Sequence, residues 1–497
     1  MSEKAGKDPA GKPSAGASLA VESSVTKAGQ GGNSAKFVTG STMRHVVVMT
    51  STGSIGLMAI FLVDFLNLFY ISLLGEQQLA AAIGYAGSVL AFTIAIGIGM
   101  TIAATALIAR ALGAENRDEA REMSAAALVF ITLVSLLVVL GLWPLIPLAL
   151  DGLGARGHTK EIATGFLRIV VPSLPLLGLG MLLSGILRAV GDARRAMYVT
   201  LAGGAASAVL DPLFIFGFDL GVTGAAIATV LSRFVLVGVG FYGAVRVHDM
   251  IGRLRPAGLR RDIRAMSAIA VPAVLTNIAT PFGNAYLTAT IARFGDDAVA
   301  GWAIIGRIVP VAFGTIFALA GAVGPIISQN FGAGRADRVR QTLNNALVFT
   351  LLYALAVWIL LFLLRHQIVG IFNARADAAE LVRFFCAFVA GSFLFTGALF
   401  VANAAFNNLG FPAYSTMFNW GRATIGTIPF VWYGAAQFGA SGALAGWAVG
   451  GIVFGIGAAT MAFRLTGRLD MAAARDAGPA ISRPVISPFS SGKSHIN

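Results

Sequence analysis

Apolar residues run through this chain in stretches of twenty or more, separated by short polar segments. A stretch of that length is a membrane span, because about 20 helical residues cross the hydrocarbon layer of a bilayer. Six such stretches lie near 46–74, 79–109, 122–147, 163–187, 195–216 and 221–246. A basic segment from His248 to Arg264 follows, then six more near 265–292, 298–328, 340–364, 379–405, 412–433 and 440–464. The pattern predicts an all-α integral membrane protein with twelve transmembrane helices.

The polar segments repeat. The one after the second span reads I-A-R-A-L-G-A-E-N-R-D-E-A-R from Ile108, and the one after the eighth reads I-S-Q-N-F-G-A-G-R-A-D-R-V-R from Ile327. Ile, Gly, Ala, Asp and Arg recur there in register, 219 positions apart. The same spacing, within one residue, maps Gly75 onto Gly295, Ala80 onto Ala300, Gly191 onto Gly410, and Gly221 with Gly224 onto Gly439 with Gly442. The chain is therefore expected to form two six-helix lobes. Six is even, so the lobes share one orientation and are related by an axis along the membrane normal. Parallel repeats of this kind recur in secondary transporters, with the solute cavity between the halves.

An even number of spans puts both termini on one side, and arginine and lysine choose the side. The short loops on the side of the termini carry fifteen such residues, among them Arg117, Arg194, Arg260 and Arg338, against seven on the other. This predicts a multi-pass protein of the cell (plasma or inner) membrane with both ends in the cytoplasm. The expected organisation is a solvated tail over 1–44, a lobe over 45–247, a basic linker over 248–264, a second lobe over 265–465 and a tail over 466–497.

Composition narrows the function. Only 12% of residues are charged, against about 25% in a soluble domain. The net charge of +13 lies in tails and inner loops, so it does not argue for nucleic acid. Cys386 is the single cysteine and the five histidines do not cluster, which leaves no disulfide framework, no metal site and no cofactor in view. An integral-membrane enzyme would need His, Cys or acids gathered near one interface, and none are. With no phosphate loop and no sizeable soluble domain, the energy source must be an ion gradient. The expected partners are a small organic solute and the bilayer, for a chain acting as a monomer.

Two acidic residues, Asp64 and Asp211, lie inside apolar stretches, both in the first half. A carboxylate at such depth costs roughly 2.5–3.5 kcal/mol on insertion scales. Two carboxylates sharing a desolvated site hold a proton more readily than exposed ones, the property a proton-coupled carrier needs. The competing expectation is a buried ion pair between Asp211 and Arg233 of the sixth span. Arg307 and Arg422 also lie mid-span and find no acid in their own half; if they face the cavity, they favour anionic or zwitterionic solutes. Among neutral residues, the mid-span amide Asn284 is the best candidate for the solute cavity. Tyr85, Tyr286, Phe61, Phe65, Phe69, Phe282 and Trp302 are aromatic candidates. Gly113 and Gly332 read as turn residues.

The order of motifs resembles one family. D-F-L-N-L-F-Y-I-S-L-L-G-E-Q-Q-L-A-A from Asp64, L-R-A-V-G-D-A-R-R from Leu187 and L-D-P-L-F-I-F-G-F-D-L-G-V-T-G-A-A-I-A-T from Leu210 look like the multidrug and toxic compound extrusion (MATE) antiporters, over about residues 45–465. The acid pattern is similar to the DinF-type branch. That resemblance implies a cation-coupled exporter, with H⁺ as the coupling ion and Na⁺ as the alternative. It also implies a cation site of Asp64, Asp211 and Thr229. Ser207 stands where that branch usually has Asn, and Gly53 where many relatives bend the first helix with a proline. A flippase for lipid-linked precursors is the runner-up.

Overall fold

The computed structural model describes residues 35–72 and 77–469, all helix, turn or coil. Most of both expected tails, and Gly75, lie outside these residues. The N-terminal lobe comprises α1 (Thr42–Ser72), α2 (Gln77–Gly113), α3 (Arg117–Gly152), α4 (Gly157–Val170), α5 (Leu174–Val190), α6 (Ala193–Pro212) and α7 (Gly221–Phe241). The C-terminal lobe comprises α8 (Pro256–Ile291), α9 (Asp296–Gly332), α10 (Ala336–Ile371), α11 (Ala376–Ala387), α12 (Phe393–Leu409), α13 (Pro412–Ala423) and α14 (Ile428–Gly467).

These helices make twelve spans. The fourth is α4 and α5 in series, joined by a tight turn at Val171–Ser173, and the tenth is α11 and α12, joined at Val389–Ser392. The chain reverses inside α14 at Phe438 and Gly439, where φ is 63° at the glycine. The two arms then pack backbone to backbone. A Cβ on Gly442 would fall 2.0 Å from the Gly434 carbonyl oxygen, and one on Gly450 1.7 Å from that of Gly426.

The repeat is visible helix by helix. The bounds of α2, α3, α4 and α5 recur 219 residues later in α9 and α10, at the start of α11, and in α12. Gly191 and Gly410 end α5 and α12 with φ of 90° and 94°, the left-handed conformation that glycine adopts without strain. The expected all-α, twelve-span architecture of two lobes related by a parallel repeat is the one observed.

The lobes meet at the end that carries the arginine-rich loops, termed the inner side after the charge expectation. There the final turns of α2 and α9 touch along their backbones. A Cβ on Gly113 would lie 2.0 Å from the Gln329 carbonyl oxygen, and one on Gly332 2.1 Å from that of Arg110. Two hydrogen bonds flank the contact. Arg110 Nη2 donates to the Asn408 carbonyl at 2.8 Å, and Gln329 Nε2 to the Ala189 carbonyl at 2.6 Å. Arg110 and Gln329 are repeat partners, and so are Ala189 and Asn408. The bonds are thus two copies of one interaction related by the internal twofold. Gly113 and Gly332 are not turn residues: they end helices and let two backbones touch, a contact between lobes that a local motif cannot disclose.

Outward of this seal the lobes stay in contact through Gly99 with Val274, Gly53 with Ala318, and Gly314 with Met58. Beyond these residues they part. On α2 the helical stripe that carries Gly99, Arg110 and Gly113 continues outward as Phe92, Ser88, Gly84 and Ala81, all exposed. On α9 the matching stripe continues as Val311, Arg307, Ala303 and Ala300, also exposed. The molecule is closed on the inner side and cleft on the outer.

The connection between lobes is held to the first. Asp192 accepts from the His248 ring at 2.8 Å, Arg121 pairs with Asp249 at 2.9 Å, and Arg255 with Glu122 at 3.1 Å. Only its first half is a linker, because Pro256 starts α8 nine residues before the expected lobe boundary. The expected tail is also shorter than read: α1 begins at Thr42, and Phe37 is already buried.

A methyl group at position 332 cannot fit while the inner side is closed. Gly332→Ala is expected to lower the stability of the purified protein by about 1–3 kcal/mol, read as an earlier thermal transition in detergent. Gly306→Ala, where nothing lies within 4 Å of the added carbon, is the control and should melt with the wild type. Equal melting of both variants would contradict the backbone contact.

Candidate functional site

Small residues on α6 bring it against α1. A Cβ on Gly56 would lie 2.5 Å from the Thr200 hydroxyl, and one on Gly204 3.2 Å from Val63. Both helices run outward, so this register places Asp211 level with Asn67, about one turn beyond Asp64. On its other side α6 packs antiparallel to α7. Gly203 meets Leu236, and Gly224 meets the Phe214 backbone, which puts Asp211 at the height of Ile227 and Ala228, next to Thr229.

Asp211 is fully buried. Its Oδ2 accepts from the Ser207 hydroxyl at 3.0 Å, one helical turn back, while its Oδ1 is buried with no hydrogen-bond partner. Immediately after it, Pro212 removes a backbone donor and the helix widens into a π-type turn over Leu213–Gly217. Such turns cluster at functional positions. Asn67 on α1 is another orphan, because its Oδ1 is also buried without a partner. Two unsatisfied acceptor oxygens inside a membrane lobe are costly unless a water, a proton or a cation joins them. Asp64, three residues before Asn67, is exposed, and no described residue hydrogen-bonds or ion-pairs with its carboxylate.

Arg233 does not neutralise Asp211. Its Nη1 donates to the Val170 carbonyl at 3.1 Å and to the Ser173 hydroxyl at 2.6 Å, filling the break between α4 and α5. No ion pair joins it to Asp211 among the described residues. Pro172 and Pro175 mark that break in the sequence, since each lacks the N–H that would cap a carbonyl one turn back. Thr229 donates its hydroxyl to the Ala225 carbonyl at 2.9 Å, leaving its lone pairs to accept.

The C-terminal lobe is built differently at the corresponding place. The eleventh span breaks over Thr424–Thr427, and Arg422, just before the break, is buried. Its Nη2 donates to the Thr280 hydroxyl at 3.1 Å while its Nε has no partner. Asn284 is half-buried one turn beyond Thr280, and Arg307 is exposed on the cleft stripe of α9. Tyr85 and Tyr286 are each half-buried against the outer core of their own lobe. Trp302 packs there too and donates from its ring to the Thr288 hydroxyl at 2.8 Å. Phe65, Phe69 and Phe282 are exposed.

The structure therefore brings Ser207 and Asp211 together and sets Thr229 at their height, with Asp64 a turn away in the open. It adds Asn67, which sequence reasoning missed although the D-F-L-N run shows an amide one helical turn from the acid.

A family model described as MatE matches residues 53–213 and 272–433, once in each lobe. The chain is 28% identical over 434 residues to a FAD transporter of Shewanella oneidensis, covering 85% of this chain and 94% of that one. It is 27% identical over 354 residues to the multidrug export protein MepA of Staphylococcus aureus, covering 69% and 78%. Its fold is similar to that of a mutant of the MATE transporter VcmN of Vibrio cholerae, with a TM-score of 0.83 and 23% identity over 86% of this chain and 98% of that one.

Because Arg233 serves the break in the fourth span, Arg233→Gln should cost about 1–3 kcal/mol of stability by orphaning buried groups. It should leave the pH response of transport unchanged. A shifted pH response at wild-type melting temperature would instead tie Arg233 to Asp211.

Proposed function

The chain belongs to the MatE family of membrane transporters, and on that premise we propose that it is a proton-coupled antiporter. It exports small organic solutes across the cell membrane, with the inner side facing the cytoplasm and a monomer as the working unit. The observation that carries the reading is the unpartnered Oδ1 of buried Asp211, with the unpartnered Oδ1 of Asn67 at its height and the exposed carboxylate of Asp64 about one turn away. The cleft gives Asp64 access to the outside, and Asp211 lies behind it in the lobe. A proton taken up from the outer medium removes a buried charge and relieves the repulsion between two carboxylates. The neutral lobe can then close on the outer side and open on the inner.

Release of the proton into the cytoplasm recharges the site and favours return. Each charge moved down 100 mV is worth about 2.3 kcal/mol, or nearly fiftyfold in solute concentration. H⁺ is taken as the coupling ion because a proton needs only the free Oδ1 of Asp211, whereas a metal ion needs several oxygen ligands at once. Thr229 and Ser207 hold the site, while Asn284, Arg307, Tyr85 and Tyr286 contribute to the solute cavity. The exposed Arg307 favours solutes with an anionic group, as FAD, named for the Shewanella relative, would have.

Only a group that changes charge can couple to a proton gradient. Asp64→Asn keeps the size and hydrogen bonding of the side chain but cannot titrate. It is expected to abolish gradient-driven efflux from reconstituted vesicles while leaving the protein inserted and folded. Asp211→Asn should lose the response to an imposed pH gradient for every solute tested, whereas Asn284→Ala should keep that response with a shifted apparent affinity. Gradient-dependent transport at the wild-type rate in either aspartate variant would remove that residue from the mechanism.

A further inference from the structure

The segment ahead of α1 crosses the seam between the lobes on the inner side. Phe37 is 1% exposed. Its ring sits in a core formed mainly by the C-terminal lobe, with Ile327, Phe331 and Leu343, which also takes in Ala193 of the N-terminal lobe. The Phe37 N–H donates to Gln329 Oε1 at 2.8 Å, so this side chain bonds the strap with one end and Ala189 with the other. The Phe37 carbonyl accepts from Arg338 Nη2 at 2.8 Å and from Asn330 Nδ2 at 3.2 Å. Lys36 Nζ reaches the Gly191 carbonyl of the N-terminal lobe at 2.7 Å. Asn345 donates to the Thr42 hydroxyl at 2.6 Å, and the His45 ring lies edge-on to Phe37 with centroids 5.2 Å apart.

We propose that residues 35–41 form a latch that holds the inner side closed, and that inward opening requires Phe37 to withdraw. The strap is covalently part of the first lobe, yet its aromatic anchor and most of its backbone bonds are in the second. Separation of the lobes on the inner side would pull Phe37 from its core and break the Gln329 and Arg338 bonds together. The latch therefore biases the resting equilibrium toward the outward-open state. It acts on the alternation of the lobes and so rests on the transport reading above.

The test reads the distance between lobes directly. Spin labels on Arg194→Cys and Gln341→Cys, both exposed and on opposite lobes, report the inner seam, while Cys386 is buried. The wild type should show a short distance at rest and a longer one when solute is added. Phe37→Ala should raise the resting share of the long distance about tenfold or more. Arg338→Gln, which keeps the aromatic and removes bonds to its carbonyl, should shift it the same way by less. A long distance that appears in the wild type with solute but is unchanged at rest in both variants overturns the latch alone. If no condition or variant yields it, the alternation itself fails, and the latch with it.

Discussion

Everything in this molecule is arranged around the place where two helix ends touch. At Gly113 and Gly332 the backbones of α2 and α9 approach closer than any side chain permits. The bonds from Arg110 to Asn408 and from Gln329 to Ala189 lock that approach from both sides. Because the participants are repeat partners, the contact lies on the internal twofold and sets how each lobe faces the other. The outward splay of the same two helical stripes follows from it, and with it the cleft that exposes Arg307.

On this symmetric frame the two lobes carry unlike chemistry. The first buries an acid whose free oxygen has no partner and sets an orphan amide at its height. The second breaks its equivalent helix and buries an arginine that is only partly satisfied. On the transport reading proposed above, duplication supplies the hinge and the cavity, and divergence separates the charge that couples from the groups that bind.

Much of the fold was legible because the bilayer imposes a length on each helix and duplication imposes a spacing. The span positions and the offset that relates α2 to α9 come from those two constraints. What stayed hidden depends on contacts far apart in sequence. An ion pair of Arg233 with Asp211 stayed open as the competing expectation because the sequence does not show which carbonyls a broken helix leaves open; Val170 was the answer. Gly113 and Gly332 looked like turns because a glycine at a helix end usually is one. Phe37 escaped notice inside a polar tail, since a single aromatic barely moves the average of its window. The acids themselves were evident, because a carboxylate in an apolar stretch stands out without any structure.

The central claim is that the N-terminal acid site exchanges a proton for solute. Purified protein in weakly buffered detergent solution, near neutral pH and without sodium, allows that exchange to be watched without a membrane. Adding a transported solute should release protons from the wild type and none from Asp64→Asn. No release from the wild type, or equal release from both, would contradict the account.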